Sequence, residues 1–176
     1  MSLKELTKDS HTAAENTKFM KAVFAKKLPL HLWADWTFQK VHFYKAIEDR
    51  CRTAGLLQDL PGLERQHLLL EDWNEMEPNH GYREPRKSVQ DYVEYINNLD
   101  PKLLMAHLYT WHMGDMFGGQ MIKRIVSAPH RNLEFINVDA LKNIIRSKLD
   151  DSLANEANLA FSWAIKMMQE YEPSLE

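Results

Sequence analysis

The sequence has few of the residues that break helices or bind metal clusters. Among its 176 residues there are six glycines, seven prolines and one cysteine. A single thiol, Cys51, forms no internal disulfide and leaves no cysteine set for a zinc or iron–sulfur site. This cysteine usage fits a reducing compartment and is merely neutral in an oxidising one, and we expect a cytoplasmic protein.

Long apolar runs and a basic excess are also missing. No segment approaches the roughly 20 apolar residues that a membrane span requires, and Met1–Ser10 is charged with no apolar run behind it. The formal net charge is -3, whereas a surface that follows nucleic-acid phosphates needs a basic excess. We therefore expect a soluble protein with no membrane anchor and no nucleic-acid partner.

The composition that remains is typical of one folded domain over residues 1–176. Hydrophobic residues make up 44% of the chain and charged residues 27%, which is enough to bury one core. Apolar residues recur at spacings of three and four, so the pattern predicts an all-α bundle of about seven helices. The predicted helices are Leu3–Phe19, Pro29 to just before Gly55, Pro61–Trp73, Val89–Ile96, Pro101–Val126, Asp139–Leu149 and Ser152–Tyr171.

One face of the first predicted helix carries Lys4, Lys8, His11 and Glu15, each about one turn from the next. A neutral imidazole is a common iron ligand, and a carboxylate one turn away can orient it. Two lysines on the same stripe suit the anionic groups of a flat ligand such as a porphyrin. The alternative is an ordinary solvated face with a His11–Glu15 pair.

Half of the glycines lie within six residues of a helical pattern, as Gly114, Gly118 and Gly119. Each interior glycine costs up to about 1 kcal/mol relative to alanine, so the cluster requires a reason. Gly114 and Gly118 are one turn apart and leave a bare strip of backbone that a planar ligand can approach, with Asp115 beside it to order water. A loop or a close helix crossing is the alternative.

Two smaller patterns add to these. Lys142 and Arg146 are one turn apart and can bind a carboxylate, although in isolation such a pair is more typical of an exposed helix surface. Glu64 and His67 form a Glu-x-x-His pair once, whereas carboxylate-bridged di-iron bundles carry that pair twice. A two-iron site is therefore not favoured.

Taken together, two segments resemble the heme oxygenase family. Leu3–Asn16, LKELTKDSHTAAEN, is similar to the family's first helix, in which the histidine that binds heme iron is followed by Ala-Glu. Leu103–Gln120, LLMAHLYTWHMGDMFGGQ, is similar to its kinked distal helix. The likeness extends over about Leu3–Tyr171 and is weak between Leu56 and Arg86.

The resemblance implies that heme b is bound between the first helix and the glycine-rich helix, as both cofactor and substrate. It places Lys4, Lys8, His11 and Glu15 on the proximal side, Tyr44, Gly114, Asp115 and Gly118 on the distal side, and Tyr109, Gly119, Lys142, Arg146 and Phe161 around the ligand, with His11 as the iron ligand. It also implies an oxidative opening by O2 and external electrons to biliverdin, at the α-meso bridge by analogy, with release of CO and ferrous iron. Ferredoxin is the implied electron donor and a downstream bilin reductase the implied acceptor of the product, and we expect a monomer.

The sequence departs from the family at two places. Trp111 and His112 stand where well-known members have Arg-Tyr, and Phe117 stands where they have serine. A bulky Phe117 predicts a narrower distal pocket.

A heme carrier on the same fold would keep His11 and the basic residues without needing Asp115, so Asp115 favours the enzyme. Relatives that process thiamine or use two irons would require other side chains in the pocket.

Overall fold

The computed structural model describes residues 1–175, and within that range every regular element is a helix or a helical turn. This confirms the all-α prediction. No helix in this range is both long and apolar enough to cross a membrane. Residues 1–175 form ten α-helices: α1 Leu3–Leu6, α2 Lys8–Glu15, α3 Lys18–Phe24, α4 Leu30–Thr53, α5 Gln66–Met76, α6 Lys87–Asn97, α7 Leu104–Leu108, α8 Gly114–Ile125, α9 Val138–Ser147 and α10 Ala154–Gln169.

The longest helix, α4, forms the centre of the bundle. Its side chains at Phe43, Tyr44 and Ile47 are completely buried, and α5, α6 and α7 pack around it. A helix that buries residues on nearly every side must be surrounded by other helices. The chain enters α4 directly after Pro29 and leaves it before Gly55, which has a φ of +74°.

The first predicted helix is divided into three segments. Thr7 separates α1 from α2, and its hydroxyl donates to the carbonyl of Leu3 at 2.9 Å. Thr17 caps α3 by accepting a hydrogen bond from the backbone of Met20 at 3.2 Å. Because Ser and Thr hydroxyls compete for backbone groups, they start and stop helices within an otherwise continuous pattern.

The third predicted helix was placed too early, since α5 begins at Gln66 rather than Pro61. Gly62 has a φ of +84°, a conformation that belongs to a turn. Two backbone N–H groups at the start of α5, those of Arg65 and Gln66, donate to the Glu48 carboxylate at 2.6 and 3.0 Å. A capping group on another helix therefore sets this boundary, and the local sequence does not show it.

The fifth predicted helix is continuous from Pro101 to Ile125, but it is not α-helical throughout. The irregular part lies before the glycines and not at them. A 3-10 turn at Pro101–Leu103 leads into α7, and a π-helical segment at Tyr109–Met113 joins α7 to α8. One-turn π segments are typical of functional regions in helices. The last two predicted helices correspond to α9 and α10, with a 3-10 turn at Asp151–Leu153 before α10.

Candidate functional site

A cavity of about 900 Å³ opens between the N-terminal helices α1 and α2, the beginning of α8, and α9 and α10. Its size lies within the range of roughly 300–1,000 Å³ that is common for ligand and cofactor sites. The first and last thirds of the chain supply most of its wall. Bringing these distant segments together is the main contribution of the fold to the site.

His11 projects from α2 on one side of this cavity. Its imidazole is 61% exposed, and Nε2 lies 3.0 Å from Glu15 Oε1. Phe161 of α10 lies beside it, with ring centroids 5.6 Å apart. A carboxylate that holds one ring nitrogen orients the imidazole and leaves the other nitrogen available to a metal.

Bare backbone forms the opposite side, at Gly114 and Gly118 of α8. A Cβ added at either glycine would meet no other atom within 4 Å, so packing does not explain the lack of a side chain there. Gly119 differs, because its Cβ would come within 2.9 Å of Leu133 Cδ2. Two of the glycines therefore keep the cavity clear, and the third allows close packing below α8.

Three cationic side chains line the edge of the cavity: Lys4, Lys142 and Arg146. Lys142 lies 3.7 Å from Asp139, whose side chain is 93% exposed. Neither Lys4 nor Arg146 has a carboxylate within 4.0 Å in the part of the chain that the structure describes. These cations can donate hydrogen bonds to the carboxylates of a ligand, and few existing ion pairs have to be broken for this.

Asp115 points away from the cavity toward α4. Its Oδ2 accepts a hydrogen bond of 2.5 Å from the Tyr44 hydroxyl, and its Oδ1 lies 3.7 Å from Lys40 Nζ. Complete burial and the neighbouring Asp115 charge raise the pKa of Tyr44 well above its ordinary value. The phenol therefore remains a hydrogen-bond donor at neutral pH.

The structure brings most of the predicted site residues to one cavity. Lining it are Lys4, His11, Glu15, Tyr109, Gly114, Gly118, Lys142, Arg146 and Phe161. Four predicted residues lie outside the lining: Lys8, which is exposed on α2, Tyr44 and Asp115, which form the pair behind α8, and Gly119, which faces Leu133. For Gly119 the physical reason is that α8 turns this residue inward.

Several functional candidates were missed from the sequence. Thr7 and Met113 line the cavity, and their positions one turn before His11 and directly before Gly114 would have indicated them. Leu149 lines it from a loop and gave no signal. Phe117 also lines the cavity, on the same side as Gly114 and Gly118, and is 46% exposed. The predicted effect of this residue on the distal pocket therefore concerns a side chain that does reach the cavity.

The residues present fit heme. The cavity offers an exposed imidazole as iron ligand, an opposing surface without side chains for a flat ring, and cations for two carboxylates. No group of three or more His, Cys, Asp or Glu residues that would hold a metal ion by itself occurs within residues 1–175. Iron carried by a porphyrin needs only an axial ligand from the protein.

Such a site defines the class to which the protein belongs, that of helical proteins holding a flat, anionic metal complex between two helices. The family model for heme oxygenase matches residues 1–141. Heme oxygenase of the red alga Porphyra purpurea is 31% identical over 98% of this chain and 86% of its own length. The chain is a member of the heme oxygenase family.

Solved structures agree with this assignment. Heme oxygenase-1 of Synechocystis sp. PCC6803 in complex with heme superimposes with a TM-score of 0.85 at 26% identity, over 98% of this chain and 91% of that one. Heme oxygenase-2 of the same cyanobacterium, in complex with heme and NO, gives 0.88 at 26% identity, over 98% and 84%. Heme is the ligand of this family, and membership favours heme oxygenase function over the carrier alternative.

Proposed function

We propose that the protein opens heme to biliverdin with release of CO and ferrous iron, using O2 and external electrons. The observation that carries the proposal is the pairing of His11 with the bare Gly114–Gly118 backbone across one cavity edged by cations. A simple heme carrier has no use for a largely buried carboxylate beside the glycines. Asp115 supplies that carboxylate.

His11 binds the iron in this proposal, and Glu15 orients the ring through its other nitrogen. Lys4, Lys142 and Arg146 hold the propionates and thereby fix how the ring is rotated in the cavity. Heme supplies, when bound, the iron that activates O2 and the meso carbon that is oxidised. By holding the propionates, these cations would select the meso carbon that is oxidised.

On the distal side, Gly114 and Gly118 leave room for a small molecule beside the helix backbone. Asp115 does not line the cavity, so it reaches the reacting atoms through ordered water. Its carboxylate oxygens accept and return protons to that water, and the Tyr44 hydroxyl keeps Oδ2 in place. Phe117 limits the width of the same space.

The first experiment is an absorbance titration of the purified protein with hemin. We expect 1:1 binding with a histidine-ligated spectrum. His11→Ala should lose that spectrum and weaken binding by at least about tenfold, because it removes the axial ligand. His31→Ala, which changes an exposed histidine of α4, is the matched control and should bind as the original protein does.

Turnover follows in the same cuvette. Ascorbate in air with an iron chelator should convert the bound heme to a bilin, and chromatography of the product identifies the meso position that was opened. Stable heme that never opens would support the carrier and refute the enzyme. We further propose ferredoxin as the electron donor and a bilin reductase as the consumer of the product, and reduced ferredoxin should replace ascorbate in this assay.

A further inference from the structure

Lys40 is a buried cation that the sequence motifs do not single out. It lies on α4 with only 8% of its side chain exposed. Its Nζ is 3.7 Å from Asp115 Oδ1, and among residues 1–175 no other lysine or arginine nitrogen comes within 4.0 Å of that carboxylate. Its charged partner is thus Asp115, the carboxylate beside the glycine backbone.

Both oxygens of Asp115 are held from the same helix. Lys40 and Tyr44 are one turn apart on α4, and Lys40 Nζ also lies 5.4 Å from the centroid of the Tyr44 ring. Lys40 engages Oδ1 while the Tyr44 hydroxyl donates to Oδ2. The hydrogen bond from Tyr44 fixes Oδ2, and the charge of Lys40 attracts Oδ1 toward α4.

Stability alone explains this pair poorly. Removing an ammonium and a carboxylate from water costs several kcal/mol per ion, and apolar replacements of buried pairs are often neutral or stabilising. The neighbouring charges are Glu48 and Arg65, and the charges of Asp115 and Glu48 both act on the buried Arg65 guanidinium. Lys40 and Arg65 therefore balance the two carboxylates behind the cavity wall.

We propose that Lys40 is a positioning residue for heme opening, which holds the Asp115 carboxylate in place from α4 and places a positive charge beside it. The proposal rests on the proposed function, because its rate readout requires turnover. Lys40 does not line the cavity, so it acts on the reaction only through Asp115. Binding of heme should therefore be nearly independent of Lys40.

The test compares Lys40→Met, which keeps the length and removes the charge, with Lys40→Arg, which keeps the charge. Lys40→Gln is a second neutral variant in case the methionine variant folds poorly. Lys45→Met is the matched control, since Lys45 is a 62% exposed lysine of the same helix. Each protein is checked by thermal unfolding, by hemin titration and by the steady-state rate of bilin formation with ascorbate.

We expect Lys40→Met to lower kcat for bilin formation by at least about tenfold while the hemin Kd stays within about twofold. Lys40→Arg should recover most of kcat, and Lys45→Met should change neither quantity. An unchanged kcat in both neutral variants would overturn the proposal. An increase in the hemin Kd by the same factor as the decrease in kcat would also overturn the proposal, because Lys40 would then be part of the binding site.

A second readout needs neither heme nor turnover. In the ligand-free protein the Tyr44 hydroxyl oxygen lies 2.5 Å from Asp115 Oδ2. The proton of this short hydrogen bond should give a downfield NMR resonance that Tyr44→Phe removes. Lys40→Met should shift this resonance, whereas Lys45→Met should not. If the original protein never opens heme but the resonance shifts, the proposed function has failed and the Lys40–Asp115 contact stands. An unmoved resonance refutes the contact.

Discussion

The carboxylate of Glu48 on α4 connects this helix to the start of α5 and to the π segment. It is 1% exposed, accepts the backbone N–H groups that begin α5, and its Oε2 lies 2.7 Å from His112 Nε2 of the π segment. Burial would raise the pKa of Glu48, but the hydrogen bond and charge of His112 and the backbone donors outweigh it and lower the pKa. The ionised form of Glu48 is therefore the one that stabilises the fold.

This lowered pKa makes a prediction about acid stability. A group whose pKa is depressed in the folded state contributes stability above its unfolded value, here 4.5, and loses it as the pH falls through the folded value. Glu48→Gln should cost about 3 kcal/mol at pH 7, and the difference from the original protein should shrink steadily below about pH 4.5. Urea unfolding from pH 7 to pH 3 measures this.

Glu71→Gln is the control for the acid series, because Glu71 is 59% exposed and its Oε2 lies as far as 3.8 Å from Arg131 Nε. It should be close to neutral at every pH. A penalty for Glu48→Gln that stays constant down to pH 3 would show that the carboxylate acts by shape and hydrogen bonding rather than by charge.

At the same scale, the sequence predicts some side chains of the site better than others. His11 and Glu15 share one helix, so a spacing of four was enough to pair them. Lys40 and Asp115 are 75 positions apart and meet only because α4 packs beside the π segment and α8. Glu48 and His112 meet in the same way, across helices. Contacts of this kind leave no periodic trace in the sequence.

At the scale of the helices, two neighbouring glycines of α8 serve different purposes. Gly118 faces the cavity with open space around it, and Gly119 faces Leu133. An alanine in a helix interior is favoured over glycine by about 1 kcal/mol when nothing obstructs its methyl group. The price of an open distal surface is therefore a weaker helix.

We expect Gly118→Ala to raise the free energy of unfolding of the heme-free protein by about 0.5–1 kcal/mol and at the same time to weaken hemin binding. Gly119→Ala should lower the free energy of unfolding by about 1–3 kcal/mol, because its methyl group overlaps Leu133. Denaturant unfolding and hemin titration of both variants check this. Leu133→Ala should relieve the penalty of Gly119→Ala, and a Gly118→Ala protein that is both less stable and unaltered in binding would contradict the interpretation.

The helices that were predicted well are those whose ends are set locally. Gly55 follows α4 with a positive φ, and Asp100 caps the 3-10 turn at Pro101–Leu103. The start of α5 was wrong because Glu48, on another helix, caps it. The π segment at Tyr109–Met113 was not predicted either, since no residue type in this stretch marks where an extra residue enters a helical turn.

In the whole molecule, the cavity joins the beginning of the chain to its end. Lys4 and His11 face Lys142, Arg146 and Phe161 across it. The N-terminal helices α1 and α2 bury little besides Leu3, Thr7 and Ala14, and they rest mainly on α10. Elements with few buried contacts open first, at free energies well below that of global unfolding.

A ligand that binds His11 and the cations of α9 together would therefore act as a clasp between the two ends. Hydrogen exchange followed by mass spectrometry should show rapid exchange of the amides of α1 and α2 in the heme-free protein and slow exchange once hemin is bound. The amides of α4 should change far less, and His11→Ala should abolish the protection. Bound heme would then order the N-terminal helices. In a cell short of heme these helices would open more often, and proteases would cut the protein at this end.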